Sequence, residues 1–407
     1  PSNIALIKYW GKKGNQLPCN PSISMSLKNS LTRTVLSYEP KGNGDQLSFL
    51  FEGKRQVSFE QRITKFLGNL SDHFKFLTDY QLSVSSENTF PHSTGIASSA
   101  SAMSSLALCL CSMEEEISGV KMAEDEFYRK AGFIARLGSG SASRSVYGGF
   151  VTWGESNSFS KSSDEYAVPF SKYTHPVFLD FQDAILLVSS KKKEVSSSAG
   201  HQLMENHPYA SARFAQANKH FERMLGVLRS GDLEEFIEIM ENEALSLHGL
   251  MMNSTPSFTL LKPNTLELIE RIRSYRLSSN VPVGFTLDAG PNIHLLYPKS
   301  EKERVVPFID SELSQFLENG KYIVDEKVHN PRDVVIVCDA TFYGKKKDKL
   351  GTLVFKDILS GEILIWKHVQ SELVKDYKQL LQRLLELGYK VKAIIVDWNV
   401  PYKLDNI

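Results

Sequence analysis

The chain has 407 residues and carries 47 Lys+Arg against 47 Asp+Glu. That length suits two or three domains with several buried cores, so no disulfide framework is required. The zero net charge argues against a protein built mainly to hold nucleic acid, and against an acidic disordered tail. The four cysteines, Cys19, Cys109, Cys111 and Cys338, form no C-x-x-C pair, which disfavours a zinc or redox motif and fits a reducing compartment. No apolar stretch reaches the ~18 residues of a membrane span, and the first residues show no secretory pattern. The expectation is a soluble, cytoplasmic protein.

In chain order, "SNIALIKYWGKK" reads as a strand entering a polar loop, and "NPSISMSLKN" as a second strand. Strand segments broken by "KGNGD" fill 31–60, a helix is expected over 60–78, and "QLSVSSENT" alternates as a strand. A helix starts near Ser98-Ser99, because Ala100, Met103, Leu106, Ala107 and Leu110 recur at helical spacing. In that run Cys109 and Cys111 read as small core hydrophobes. A second helix, about 123–137, runs into "GSGSASRSVYGGFVTW", too rich in Gly and Ser for a helix interior, which ends in a strand. Residues 155–176 are loop-like, and "FQDAILLVSS" is a buried strand. Two helices surround "RSGD" within 202–252, another covers 264–275, "PVGFTLDAGPNIHLLYP" is strand, turn and strand, and a last helix spans 301–319. The character changes near 325–332. Beyond it strands, an amphipathic helix at about 371–387 and a final strand form a separate β-β-β-α-β unit.

Four segments carry possible chemistry. In "PHSTGIASSA" (91–100) a Gly-bearing turn precedes a helix, so backbone amides and the helix N-terminus face an anion, while Ser98 and Ser99 can reach phosphate or Mg²⁺. It lacks the Lys of a P-loop, and a capping Ser pair on a structural helix accounts for the same residues equally well. "GSGSASRSVYGG" (138–149) places the lone cation Arg144 among small residues, which favours carboxylate or phosphate binding over a plain surface turn. "KKKEVSSSAGH" (191–201) suits a phosphate-rich ligand, although a Lys run by itself is usually a solvated loop. In "FTLDAGPN" (285–292), Asp288 ends an apolar strand: either a turn residue or a general base.

Taken together, "NIALIKYWGK", "PHSTGIASSASA", "GSGSASRSVYGGF" and "FTLDAGPN" resemble, in this order, the diphosphomevalonate decarboxylases of the GHMP kinase superfamily, over about residues 1–325. The resemblance implies an α+β, two-domain GHMP kinase-like fold (1–177 and 178–325) with the active-site cleft between the domains. It also implies a homodimer using ATP and Mg²⁺. Mevalonate 5-diphosphate would be phosphorylated on its 3-hydroxyl and decarboxylated to isopentenyl diphosphate. By the same resemblance Asp288 would accept or orient the hydroxyl proton, Arg144 would hold the substrate carboxylate, and Lys193 would stand near the transferring phosphoryl group. Asn3, Lys8, Tyr9 and Lys12 line the substrate site, with Ser141 and Ser197 at the carboxylate and diphosphate. Gly95, Ala97, Ser98 and Ser99 belong to the nucleotide loop, Ser99 also toward the metal. The loop departs from the family's frequent PTAAGLASSA at His92, Ser93 and Thr94, and Ser143 stands where members often have Cys. Within the superfamily, a mevalonate-type kinase or a phosphomevalonate decarboxylase is the alternative.

Residues 331–407 resemble the first part of an RNase H-like transposase core, with Asp339 in its first strand and Asp397 ending its fourth. A two-metal nuclease site needs a third carboxylate that this segment does not supply. Its charge is only +3, from 13 basic and 10 acidic residues, which gives little phosphate attraction. The expectation is a truncated fragment that cuts no DNA.

Overall fold

A computed structural model describes residues 1–43, 46–91, 96–191, 197–328, 333–343, 350–357, 363–370, 373–386 and 389–396, with the side chains of 197–199 and of many tail residues left out. It divides into two compact units, Pro1–Val328 and His329–Ile407. The two domains expected to part at 177/178 therefore share one contact network within the first unit.

Three four-stranded sheets build that unit. Asn3–Ile7, Ser22–Ser26, Phe150–Trp153 and Val168–Pro169 form the first, antiparallel throughout. Thr32–Pro40, Tyr80–Asn88, Leu47–Phe51 and Lys54–Arg55 form the second, in which Leu47–Phe51 runs parallel to Tyr80–Asn88. Gly284–Thr286, Ile293–Pro298, Phe181–Leu186 and Tyr322–Glu326 form the third.

The helices are α1 (Val57–Gly68), α2 (Ser98–Ser118), α3 (Glu124–Gly138), α4 (Ser197–Leu203), α5 (Ala210–Ser230), α6 (Leu233–Met252), α7 (Pro263–Ser279) and α8 (Lys302–Phe308). The α2 stripe is buried as its spacing requires, with Leu110 and Ala107 fully enclosed. Cys111 joins that core, whereas Cys109 is half-buried, its Sγ 3.7 Å from the Thr34 carbonyl. The "RSGD" break works through both of its ends. Gly231 closes α5 at φ 84°, and the Asp232 side chain accepts the Glu235 amide at 3.0 Å to open α6.

Three sequence expectations change. The helix expected over 60–78 stops at Gly68, and only a short 3₁₀ turn, Lys75–Thr78, follows. The helix expected over 301–319 ends as α8 at Phe308 and continues in wider and tighter turns. The Gly/Ser segment after α3 is a 3₁₀ turn, Gly140–Val146, with Arg144 buried in it.

In the tail unit, Ile363–Val369, Leu350–Asp357, Asp333–Tyr343 and Lys390–Val396 form one sheet in that spatial order. The first-in-sequence strand pairs parallel with the last, and α9 (Val374–Glu386) precedes that last strand. Tyr377, Leu380, Leu381 and Leu384 of α9 are buried with Leu353, Phe355 and Leu364. The Asp339 side chain and all of Asp397 lie outside the described residues.

Candidate active site

A cavity of about 550 Å³ opens in the 1–328 unit, lined from both halves of the sequence. One part of its lining is apolar, with Phe49, Phe51, Phe59, Val84, Met103 and Leu106 packed in a single cluster. The other gathers Lys8, Lys12, Arg144, His201 and Asp288.

The strand Asn3–Ile7 delivers Lys8, Tyr9 and Trp10 to the polar part as it leaves the sheet. The Lys8 side chain is buried, and its Nζ donates to the Ala5 carbonyl at 2.6 Å. Burial lowers its pKa to about 8; Asp288 and Glu243 oppose that shift, while Arg144 and Arg213 add to it. The Lys8 backbone is fixed from α5 and α6. Its amide donates to Glu243 Oε2 at 2.8 Å, and its carbonyl accepts from Asn20 Nδ2 at 3.0 Å and from Arg213 at 3.3 Å. The Tyr9 ring lies edge-on to Trp153 with centroids 4.7 Å apart. Burial raises the Tyr9 hydroxyl's pKa, so it stays protonated.

Gly140 shows why the 3₁₀ turn needs small residues. A Cβ there would come within 2.8 Å of Tyr9 Oη and 2.9 Å of the Trp153 ring. That close approach carries Arg144 inward, where it is 3% exposed and donates from Nη1 to Ser22 Oγ. Burial brings its pKa down to about 10, partly offset by Asp288, so it remains a cation at neutral pH. Arg144 Nε and Tyr9 Oη are buried without a partner among the described residues. Two such orphans on one cavity are expected where a ligand supplies the missing partners.

Asp288 follows the strand Gly284–Thr286, where its carbonyl accepts the Gly290 amide at 2.7 Å and meets His248 Nε2 at 3.2 Å. Its carboxylate is half-buried, and its charge is felt by Lys8, Arg144 and His201 together.

Ala97, with φ 44°, turns the chain into α2, whose N-terminus has no side-chain cap among the described residues. Ala97, Ser98 and Ser99 line the cavity, and Ser99 Oγ accepts from Arg62 at 3.0 Å. Thus neither Ser98 nor Ser99 caps α2; the Ala100 amide donates to the Ala97 carbonyl at 2.9 Å, and among the described residues the Ser98 and Ser99 amides remain available to an anion. Asn3, Lys12 and Ser141 also line the cavity. Asn3 donates to Ser145 Oγ at 2.7 Å, and Lys12 to Gln16 Oε1 at 3.3 Å. Lys193 and Gly95 lie outside the described residues, as does the side chain of Ser197.

Sequence reasoning missed Trp10, Arg62 and the Arg213–Glu243–His220 cluster, and gave His201 no role. The available signal was charge on the otherwise apolar inner faces of two amphipathic helices.

Residues 1–167 match the family model "Diphosphomevalonate decarboxylase-like N-terminal domain", and residues 184–360 match "Mevalonate 5-diphosphate decarboxylase C-terminal domain". The chain belongs to the diphosphomevalonate decarboxylase family. The diphosphomevalonate decarboxylase of Candida albicans is 29% identical over 322 residues, 76% of this chain and 86% of the relative. The solved mevalonate diphosphate decarboxylase of Staphylococcus aureus is 28% identical with a TM-score of 0.70, covering 81% of this chain and 94% of that one. A related structure in complex with MVAPP, AMPPCP and magnesium is 27% identical with a TM-score of 0.67, covering 80% and 94%. The decarboxylase fold is thus that of the 1–328 unit, although the second family match runs past Val328 into the tail.

Proposed function

We infer that the chain is an ATP-dependent diphosphomevalonate decarboxylase that converts mevalonate 5-diphosphate to isopentenyl diphosphate. The observation that carries this is the convergence of Asp288, Arg144 and Lys8 on one cavity that also contains the open N-terminus of α2.

The residues present fit ATP and Mg²⁺. The apolar part of the cavity suits a planar base. The uncapped α2 amides with Ala97, Ser98 and Ser99 suit its phosphates, with the undescribed Gly95 assigned to the same loop. Among the described residues no cluster of three His, Cys, Asp or Glu could hold a metal. Mg²⁺ would be held together with the nucleotide's phosphates, and Ser99 Oγ, which accepts from Arg62 at 3.0 Å, would offer it a remaining lone pair. When bound, they supply the phosphoryl group that turns a tertiary hydroxyl into a leaving group.

The chain's own residues do the rest. Asp288 accepts the proton of the 3-hydroxyl. The orphaned Arg144 guanidinium holds the substrate carboxylate beside C3, so that the electrons of the breaking C–C bond enter the forming double bond as phosphate departs. Such orientation contributes up to about 7–11 kcal/mol. Lys8, Lys12 and Tyr9 hold the diphosphate, with Asn3, Ser141 and Ser197 around the substrate. Lys193 neutralises charge on the moving phosphoryl group.

The test is release of ADP and CO₂ from mevalonate 5-diphosphate and from the monophosphate. Equal ADP and CO₂ from the diphosphate is the expected result. ADP without CO₂ would identify a kinase, and preference for the monophosphate the alternative decarboxylase.

The same reading places a homodimer in the cytoplasm. Among the described residues all four cysteines are free and no helix is long and apolar enough to cross a membrane. The tail's strand order, with its first and last strands parallel, supports the RNase H-like ancestry.

A further inference from the structure

His201 occupies the polar part of the cavity in a setting that fixes both its plane and its proton. Helix α4 is pressed against Trp10, and a Cβ at Gly200 would lie 2.5 Å from that ring, so only glycine permits the approach. The next residue is thereby held between two rings, Tyr9 with its centroid at 4.4 Å and Trp10 at 4.6 Å. The Gly11 amide donates to His201 Nδ1 at 3.0 Å. An Nδ1 that accepts leaves the imidazole proton on Nε2. Burial, followed by the charge of Lys12, holds the ring's pKa down to about 3, so it is a neutral donor at neutral pH. His201 makes no other hydrogen bond among the described residues. Its ring lines the cavity beside Lys12, Arg144 and Asp288.

We propose that His201 is a substrate-binding residue that donates from Nε2 to an anionic oxygen of the substrate, on its diphosphate or its carboxylate. The proposal rests on the decarboxylase reading. A neutral N–H among cations adds direction at an oxyanion without adding charge, and its hydrogen bond to a charged acceptor is of the stronger kind. Lysines supply attraction there, but as flexible point charges. The imidazole, packed at a tilt against Tyr9 and Trp10 and held by the Gly11 amide, has its direction set before an anion arrives.

Two variants of the full chain test this. His201→Phe keeps a ring between Tyr9 and Trp10 and removes the donor; His201→Gln restores an N–H at similar reach. The expected result is a KM for mevalonate 5-diphosphate raised at least about tenfold in the Phe variant, with kcat within about threefold and the unfolding midpoint unchanged, and most of the KM recovered by Gln. Calorimetry with inorganic pyrophosphate and with mevalonate separates the acceptors, because only the probe carrying the contacted oxygen weakens in the Phe variant. A Phe variant matching wild type for substrate and both probes would overturn the proposal, as would a Gln variant no better than Phe. Wild type that neither turns over nor binds either probe would overturn the decarboxylase reading and this proposal together. An active wild type with indifferent variants overturns His201 alone.

Discussion

Glu243→Gln is the sharpest probe of how the active-site strand is held. Glu243 is fully buried on α6. It accepts from Arg213 Nη1 at 2.7 Å and Nη2 at 2.5 Å, from His220 Nδ1 at 2.7 Å and from the Lys8 amide at 2.8 Å. Burial works against its charge, but the bonds from Arg213 and His220, the Arg213 charge and the Lys8 amide together hold its pKa at about 2, below an ordinary 4.5. At about 1.4 kcal/mol per pH unit that gap is worth about 3 kcal/mol of stability. Glutamine keeps the shape but leaves the Arg213 cation buried and uncompensated, a loss of about 3–5 kcal/mol by the general behaviour of broken buried pairs. The two routes agree.

The sign in pH follows from the direction of the shift. A depressed carboxyl pKa stabilises fully above 4.5 and is lost as pH falls through about 2. Wild type and variant should therefore differ most at neutral pH and converge between those values. Thermal unfolding of the full chain, followed by circular dichroism, reads this. A unit of this size loses about 2 °C per kcal/mol, so the variant's midpoint should drop by about 6 °C. A drop below about 2 °C would refute the reasoning, since it would mean that Arg213 finds another anion or water at little cost. A gap that stays constant down to acid pH would refute the assignment of the effect to Glu243 ionisation.

Asp288→Asn should reduce turnover by at least about a hundredfold while ATP still binds, measured by coupled ADP release and nucleotide titration; activity within about tenfold, a barrier change of only about 1.4 kcal/mol, would exclude the general-base role. Burial lowers Lys8 to about 8, so its charge fades as pH rises through that value. We expect kcat/KM for the anionic substrate to fall above about pH 8 and Lys8→Arg to flatten that limb, as a pH–rate profile will show. A chain ending at Val328 should fold and retain decarboxylase activity, because every described cavity residue belongs to the 1–328 unit; an insoluble or inactive product, with the full chain active, would show that the tail is needed.

The elements legible in the sequence were those set by local rules. The α2 stripe of Ala100, Met103, Leu106, Ala107 and Leu110 follows from helical period alone, and it is buried as expected. The end of α5 at Gly231 and the start of α6 at Asp232 follow from capping chemistry within a few residues. The family motifs belong to the same class, since each is a short contiguous segment. What the chain could not state in one dimension was which side chains meet. Whether Ser98 and Ser99 cap α2 or face a cavity depended on what packs around that helix end, and Ala97 and Arg62 answered it. The 3₁₀ turn that buries Arg144 begins where Tyr9 and Trp153 crowd Gly140, two contacts with no local signature. The hold of Glu243 on Lys8 spans |i−j| = 235, and Gly11 fixes the proton of His201 across |i−j| = 190. Burial then lowered the pKa values of Lys8, Arg144 and His201. Desolvation belongs to the three-dimensional surroundings of a group, so identical residues would keep ordinary pKa values until tertiary packing encloses them.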